Sequence, residues 1–192
     1  MPHIIRRVRQ AGVYFVTSRT WNSRALFKKP EAAQILLDQL LSCRDRGFYK
    51  LHPFVIMPDH FHALLTPSEE TSLEKAMQMI KGGSSHRIKK MLNYVSPIWQ
   101  EGFHDRWVRD ESEFRERVAY IQSNPVAAKL AAVPEEYVFC SASGRYPLNS
   151  SQYEKSTSGA EAPISGRHSY VAVKTATYKH SAQAKANPTH KT

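Results

Sequence analysis

Apolar and polar positions first fall into a strand pattern in "GVYFVTSRT", where β-branched and aromatic residues follow Gly12. In "KKPEAAQILLDQLLSCRDRGF" the period lengthens to that of a helix. Ile35, Leu36, Leu40 and Cys43 recur on one face, with Pro30 at the start and Gly47 at the stop. "YKLHPFVIMPDHFHALLTP" predicts two strands joined at Met57-Pro58-Asp59-His60, a turn whose residues fix φ and offer a side-chain acceptor. "SLEKAMQMIKGGSSHRIKKML" predicts an amphipathic helix interrupted at Gly82-Gly83 that resumes behind Ser84 and Ser85 as caps. "PIWQEGFHDRWVRD" predicts a strand pair, or a loop with one short strand. In "ESEFRERVAYIQSNPVAAKL", Phe114, Val118 and Ile121 stand at i, i+4 and i+7 and mark a core-facing helical stripe. Asn124 before Pro125 marks the stop of that helix, because proline cannot donate the next helical hydrogen bond.

This order of elements predicts an α+β fold: one sheet with helices packed on one face. Beyond Tyr146 the chain turns to Ser, Thr, Ala, Lys and Gly with scattered aromatics. We therefore expect one folded domain over residues 1–147 and a weakly ordered basic tail over 148–192. No internal repeat is present.

Composition changes this picture in two respects. A net charge of +10 concentrates phosphate-bearing partners around the protein, with nucleic acid the favoured one. Cys43 and Cys140 are too few for a disulfide framework, and no run of about 18 apolar residues predicts a membrane span. The arginines of "MPHIIRRVRQ" precede no apolar stretch, so a cytoplasmic protein without membrane contact is expected.

Candidate chemistry gathers at "VIMPDHFHALL". Strand alternation puts His60, His62, Leu64 and Thr66 on one face and Phe61, Ala63 and Leu65 on the other. Two imidazoles on one side can hold a metal or be two ordinary surface histidines. On the last helix Tyr120 and Asn124 are neighbours one turn apart, with Glu113 and Arg117 on the same side. A phenol with ordinary pKa near 10 is a poor nucleophile, so Tyr120 would attack a phosphodiester only where a cation favours phenolate or polarises the phosphate. Taken singly, each residue has a simpler use: packing for the tyrosine, a helix stop for Asn124.

Together, "MPDHFH", "WQEGFHDRWVRD" and "YIQSNP" resemble the single-tyrosine HUH transposases of the insertion-sequence-200 type, most closely the REP-associated tyrosine transposase branch, over residues 12–146. The resemblance implies a ferredoxin-like (RRM-like) antiparallel sheet. It implies His60 and His62 as metal ligands, Asn124 completing the site where relatives often have Gln, and Tyr120 as nucleophile. Asp59 stands where an Asn is common. The implied activity is cleavage and strand transfer of single-stranded DNA beside a REP-like hairpin, through a 5′-phosphotyrosine ester and with Mg²⁺ or Mn²⁺, in a bacterial cytoplasm at the nucleoid. The family leaves monomer and homodimer both open.

Basic residues then acquire DNA-binding roles: Arg6, Arg7 and Arg9 along a single strand, Lys81, Arg87, Lys89 and Lys90 on hairpin phosphates, and Arg106, Arg109 and Arg117 near the nucleophile's helix. Trp99, Trp107, Phe103 and Tyr14 can stack bases or pack the core, and His104 is a further site candidate or a surface residue. Two other functions compete. A non-catalytic DNA- or RNA-binding module has no use for His60, His62 and Tyr120 together. A metal-dependent hydrolase with water as nucleophile would keep its activity in Tyr120→Phe.

Overall fold

In strand β1 (Tyr14–Arg19) burial alternates as period two requires: Tyr14, Val16 and Ser18 are buried, while Phe15 and Thr17 are half-exposed and Arg19 is exposed. The computed structural model describes residues 11–154; Arg6, Arg7, Arg9 and the chain from 155 onward lie outside the described residues. Helix α1 (Pro30–Asp45), strands β2 (Tyr49–Ile56) and β3 (His60–Pro67), helix α2 (Leu73–Leu92), strand β4 (His104–Trp107) and helix α3 (Glu111–Ala127) follow in order. The four strands form one antiparallel sheet in the spatial order β2-β3-β1-β4. This is the α+β, ferredoxin-like arrangement that the sequence predicts, and among the described residues no helix is long and apolar enough to cross a membrane.

The helices divide between the two faces of the sheet. Helices α1 and α2 cover the face made by Tyr14, Val16, Leu51, Phe61, Ala63 and Leu65, and this side holds the larger core. Helix α3, which the sequence reading put on that same side, lies on the opposite face, where Phe114 and Ile121 pack with Val55, Met57 and Leu64. The reason is visible in β2, buried at seven of its eight positions: a strand covered on both faces reads as a continuous apolar run.

Two local expectations are revised. Helix α2 is unbroken through Gly82-Gly83. A Cβ on Gly83 would lie 2.3 Å from Gln39 Nε2, so this glycine lets α1 and α2 approach closely and is no hinge. Helix α3 runs through Pro125 to Ala127. So near the helix end a proline removes only one hydrogen bond, and the Asn124 side chain supplies an extra donor to the Tyr120 carbonyl at 2.8 Å. The "PIWQEGFHDRWVRD" segment takes the second of its two expected forms, a loop with one short strand, β4.

The segment after α3 closes the outer edge of β2. Ile56 N–H donates to the Phe139 carbonyl at 2.9 Å, and Val55 and Cys140 form an isolated bridge. Leu51 exchanges backbone and side-chain hydrogen bonds with Asn149 at 2.8 and 2.9 Å. Tyr153 Oη donates to the Val108 carbonyl at 2.8 Å. The chain past Leu148, expected to start a tail, is thus in contact with the body as far as it is described. The contacts on Leu51, Val55 and Ile56 cover an otherwise bare sheet edge.

Candidate active site

The β2–β3 turn carries the histidine pair and is pinned from two sides. Met57 N–H donates to the His60 carbonyl at 2.7 Å and closes the turn. Thr20, at the end of β1, donates its N–H and its Oγ1 to the Asp59 carbonyl at 2.8 and 3.0 Å, and Phe27 N–H donates to the Pro58 carbonyl at 2.9 Å. The start of β3 is therefore fixed before any ligand arrives. As alternation requires, His60 and His62 share a face, with ring centroids 4.7 Å apart.

Each imidazole is oriented through Nδ1. Asp59 Oδ1 lies 2.6 Å from His60 Nδ1, and Thr17 Oγ1 lies 2.7 Å from His62 Nδ1, Thr17 being the cross-strand partner of His62. With an N–H on both Nδ1 atoms, both Nε2 lone pairs are available. His62 Nε2 is buried and has no hydrogen-bond partner among the described residues. Burial, with the neighbouring His60 and the Arg19 charge, pushes His62 down to about 3. Burial also lowers His60, against the opposing hydrogen bond and charge of Asp59. Both rings are neutral at physiological pH, which is the ligating form.

Helix α3 brings Tyr120 to this pair. Its ring centroid is 5.2 Å from that of His62 and 5.9 Å from that of Phe15, and Phe15 in turn stacks on His62 at 5.2 Å. The tyrosine is 42% exposed, so a strand of DNA can reach it from solvent. Asn124 lies one turn further along α3, and its amide Nδ2 serves the Tyr120 carbonyl, not either imidazole. Its Oδ1 keeps its acceptor capacity. Among the described residues no group of three or more His, Cys, Asp or Glu side chains is placed to hold a metal ion. The two imidazoles therefore need an amide, water or ligand oxygen to complete a coordination shell.

The three arginines that the sequence placed near the helix of Tyr120 come together on Glu113, which is 5% exposed. Arg106 Nε pairs with Oε1. Arg109 Nε pairs with Oε2 at 3.1 Å, and Arg117 Nη2 lies 3.7 Å from Oε1. Burial would raise the Glu113 carboxyl, but the hydrogen bonds from Arg109 and Arg106 and the Arg106 charge hold it below its ordinary 4.5. Lys81, Arg87, Lys89 and Lys90, the α2 residues expected on hairpin phosphates, are in the layer behind the sheet. There Lys81 Nζ donates to the Gln100 carbonyl at 2.8 Å and to that of Gly102, and Arg87 pairs with Asp38 at 3.2 Å. Lys89 and Lys90 are exposed near the end of α2.

Of the stacking candidates, Tyr14 and Trp99 are core residues at 4% and 8% exposure. Trp107 is exposed, and His104 is exposed opposite Thr17 in the β1–β4 pair. Sequence reasoning missed Phe15 and Thr17. Their alternation on β1 was readable, but the register that sets Thr17 against His62 was not.

A sequence profile for the family described as "Transposase IS200 like" matches residues 12–124. The REP-associated tyrosine transposase of Escherichia coli (strain K12) is 24% identical over 146 residues, which cover 73% of this chain and 85% of that protein. The solved structure of a REP-associated tyrosine transposase bound to a REP hairpin superposes with a TM-score of 0.61 at 23% identity, covering 86% of this chain and 100% of that one. That likeness extends the shared fold over the described body. Because the profile spans the chain from the entry of β1 through the histidine pair and Tyr120 to Asn124, this protein belongs to the IS200-like transposase family.

Proposed function

We propose that this transposase cleaves single-stranded DNA beside a hairpin by attack of Tyr120 on a phosphodiester, with a divalent cation, Mg²⁺ or Mn²⁺, held by His60 and His62. One observation carries the reading: the Tyr120 ring stands 5.2 Å from His62, whose buried Nε2 has no partner among the described residues. An orphaned lone pair in a neutral imidazole suits a metal ligand, and the carboxylate and hydroxyl behind the two Nδ1 atoms fix the rings for that role. Asn124 Oδ1 is the protein's third donor. When bound, the cation would polarise a non-bridging phosphate oxygen and neutralise charge that develops on it.

The protein's own part is to orient and to attack. Helix α3 holds Tyr120 so that its Oη can approach phosphorus in line with the departing O3′. The Oη–P bond forms as the P–O3′ bond breaks. The phenolic proton is lost, the leaving oxygen gains one and becomes a 3′-hydroxyl, and the DNA 5′ end remains as a phosphotyrosine ester. Attack on that ester by another 3′-hydroxyl reverses these bond changes and joins a new strand without ATP. The hairpin bound by the structural relative supports a REP-like palindrome as the partner.

The test incubates wild-type protein and Tyr120→Phe with hairpin-bearing single-stranded oligonucleotides and Mn²⁺ or Mg²⁺, and resolves the products on a denaturing protein gel. A covalent protein-DNA band in wild type alone, abolished by a chelator, is expected. Cleavage that persists in Tyr120→Phe would instead assign water as the nucleophile. Binding with neither cleavage nor adduct would make the protein a non-catalytic module.

A further inference from the structure

Glu113 holds more positive charge than one carboxylate can balance. Arg106 from β4, Arg109 from the loop and Arg117 from α3 converge on it, three guanidiniums on one carboxylate, although Asp110 and Glu116 also act on Arg109. The backbone of the region needs only part of this set. Asp110 caps α3 by accepting from Glu113 N–H at 2.8 Å, and the Glu113 carboxylate returns to Arg109 N–H at 3.2 Å. Arg106 and Arg109 satisfy both carboxylate oxygens, so the third guanidinium is surplus to the brace between β4 and α3.

Arg117 is held but not satisfied. Its Nη2 is beyond hydrogen-bond distance of Glu113, and its Nε is buried without a partner among the described residues. A buried unpaired donor is costly, the more so when charged, so a folded protein retains one where something else completes it. The Arg117 guanidinium lies over the Phe15 ring, 5.3 Å from its centroid. That ring also contacts both Tyr120 and His62. The unsatisfied cation, the tyrosine and the imidazole thus stand around one aromatic side chain.

We propose that Arg106, Arg109 and Arg117 form a second anion subsite, which grips the phosphodiester next to the scissile one and so fixes the strand along α3, with Glu113 as the positioning residue that holds the guanidiniums together. This rests on the proposed reading of Tyr120 as nucleophile. A planar guanidinium suits phosphate oxygens, which it can bind in pairs. A strand anchored at the neighbouring phosphate is held in both position and direction when it presents its scissile bond to Tyr120.

The test uses the full chain carrying Tyr120→Phe, so that binding is read without chemistry. Its DNA is a fluorescein-labelled hairpin oligonucleotide with a single-stranded flank, in which one phosphodiester at a time is replaced by a neutral methylphosphonate. Fluorescence anisotropy is expected to find one position where the replacement weakens binding about tenfold, a loss absent once Arg117→Gln is added. The slope of log Kd against log salt is expected to fall by about 0.7 with Arg117→Gln, as for one lost phosphate contact on a single strand. Glu113→Gln should erase the same coupling while leaving all three arginines in place, which a merely structural brace would not do. Arg106→Gln and Arg109→Gln, on exposed side chains, repeat the measurement if the other variants melt early. Methylphosphonate penalties that are unchanged by every one of these substitutions would overturn the subsite. An adduct that never forms in wild type, with the coupling intact, would instead sink the phosphotyrosine reading alone.

Discussion

At the residue scale, the site depends on what stands behind each imidazole. Among the described residues, Thr17 supplies the only hydrogen bond of the His62 ring, through Nδ1 at 2.7 Å, and so fixes its ring angle. Thr17→Val keeps the shape and removes that bond. On the proposed metal reading, it should weaken Mn²⁺ binding about 10- to 100-fold in calorimetry with little change in melting temperature. Unchanged Mn²⁺ affinity would show that Thr17 does not orient a ligand. The placement of His60 and His62 on one face was legible because alternation is a local property. Thr17 was hidden because its partner lies 45 positions away along the chain. His52 shows a different use of the same side chain. It is fully buried, with Nδ1 on the Asn149 carbonyl, Nε2 on Thr66 Oγ1 and its ring edge-on to Phe114. Burial lowers its pKa from 6.5, against the Asn149 hydrogen bond and the Glu154 charge, which raise it, while Lys50 adds to the lowering. The unfolded chain therefore binds this proton more readily, so stability is full above 6.5 and is lost as pH falls from there toward the depressed value. Thermal melts of wild type should fall over that window more steeply than those of His52→Gln. Parallel curves would show that His52 does not titrate on unfolding.

At the element scale, two adjacent glycines that look alike in sequence have opposite roles. Gly82 has nothing within 4 Å of where a Cβ would stand, so Gly82→Ala should stabilise the protein by about 0.5–1 kcal/mol through helix propensity. A Cβ on Gly83 would meet Gln39, whose Nε2 donates to the Met79 carbonyl at 3.0 Å and to Cys43 Sγ at 3.2 Å. Gln39 must then give up those bonds or α1 must shift, and Gly83→Ala should destabilise by roughly 1–3 kcal/mol. Urea unfolding of the two variants measures both signs, and a stabilising Gly83→Ala would contradict the close approach. The sequence showed two glycines and read a break, because nothing local says that another helix lies against one of them. The existence and order of the helices and strands were legible from their periods. The side of the sheet that α3 takes was not, since the stripe of Phe114, Val118 and Ile121 says that one face is buried without saying against what. The apolar run Phe54-Val55-Ile56-Met57 did carry that information, because a strand with one wet face alternates and this one does not.

At the scale of the whole molecule, the histidine pair and Tyr120 meet within a single chain, β3 supplying one and α3 the other. On the proposed chemistry, a site made from one chain needs no second copy to bring nucleophile and ligands together, and this gives a complementation test. Tyr120→Phe keeps the imidazoles and lacks the nucleophile, and His62→Ala keeps the tyrosine and lacks a ligand. If sites were shared between two subunits, a mixed dimer of these variants would contain one composite site with His62 from one chain and Tyr120 from the other, and adduct formation would return on mixing. With the site inside one chain, neither variant can repair the other at any ratio. Mixtures co-refolded from denaturant, so that subunits can exchange, are therefore expected to give no covalent band above that of the separate proteins, while wild type refolded alongside gives a strong one. A restored band would mean that α3 docks on a neighbouring chain during catalysis and that the arrangement within one chain is a resting state.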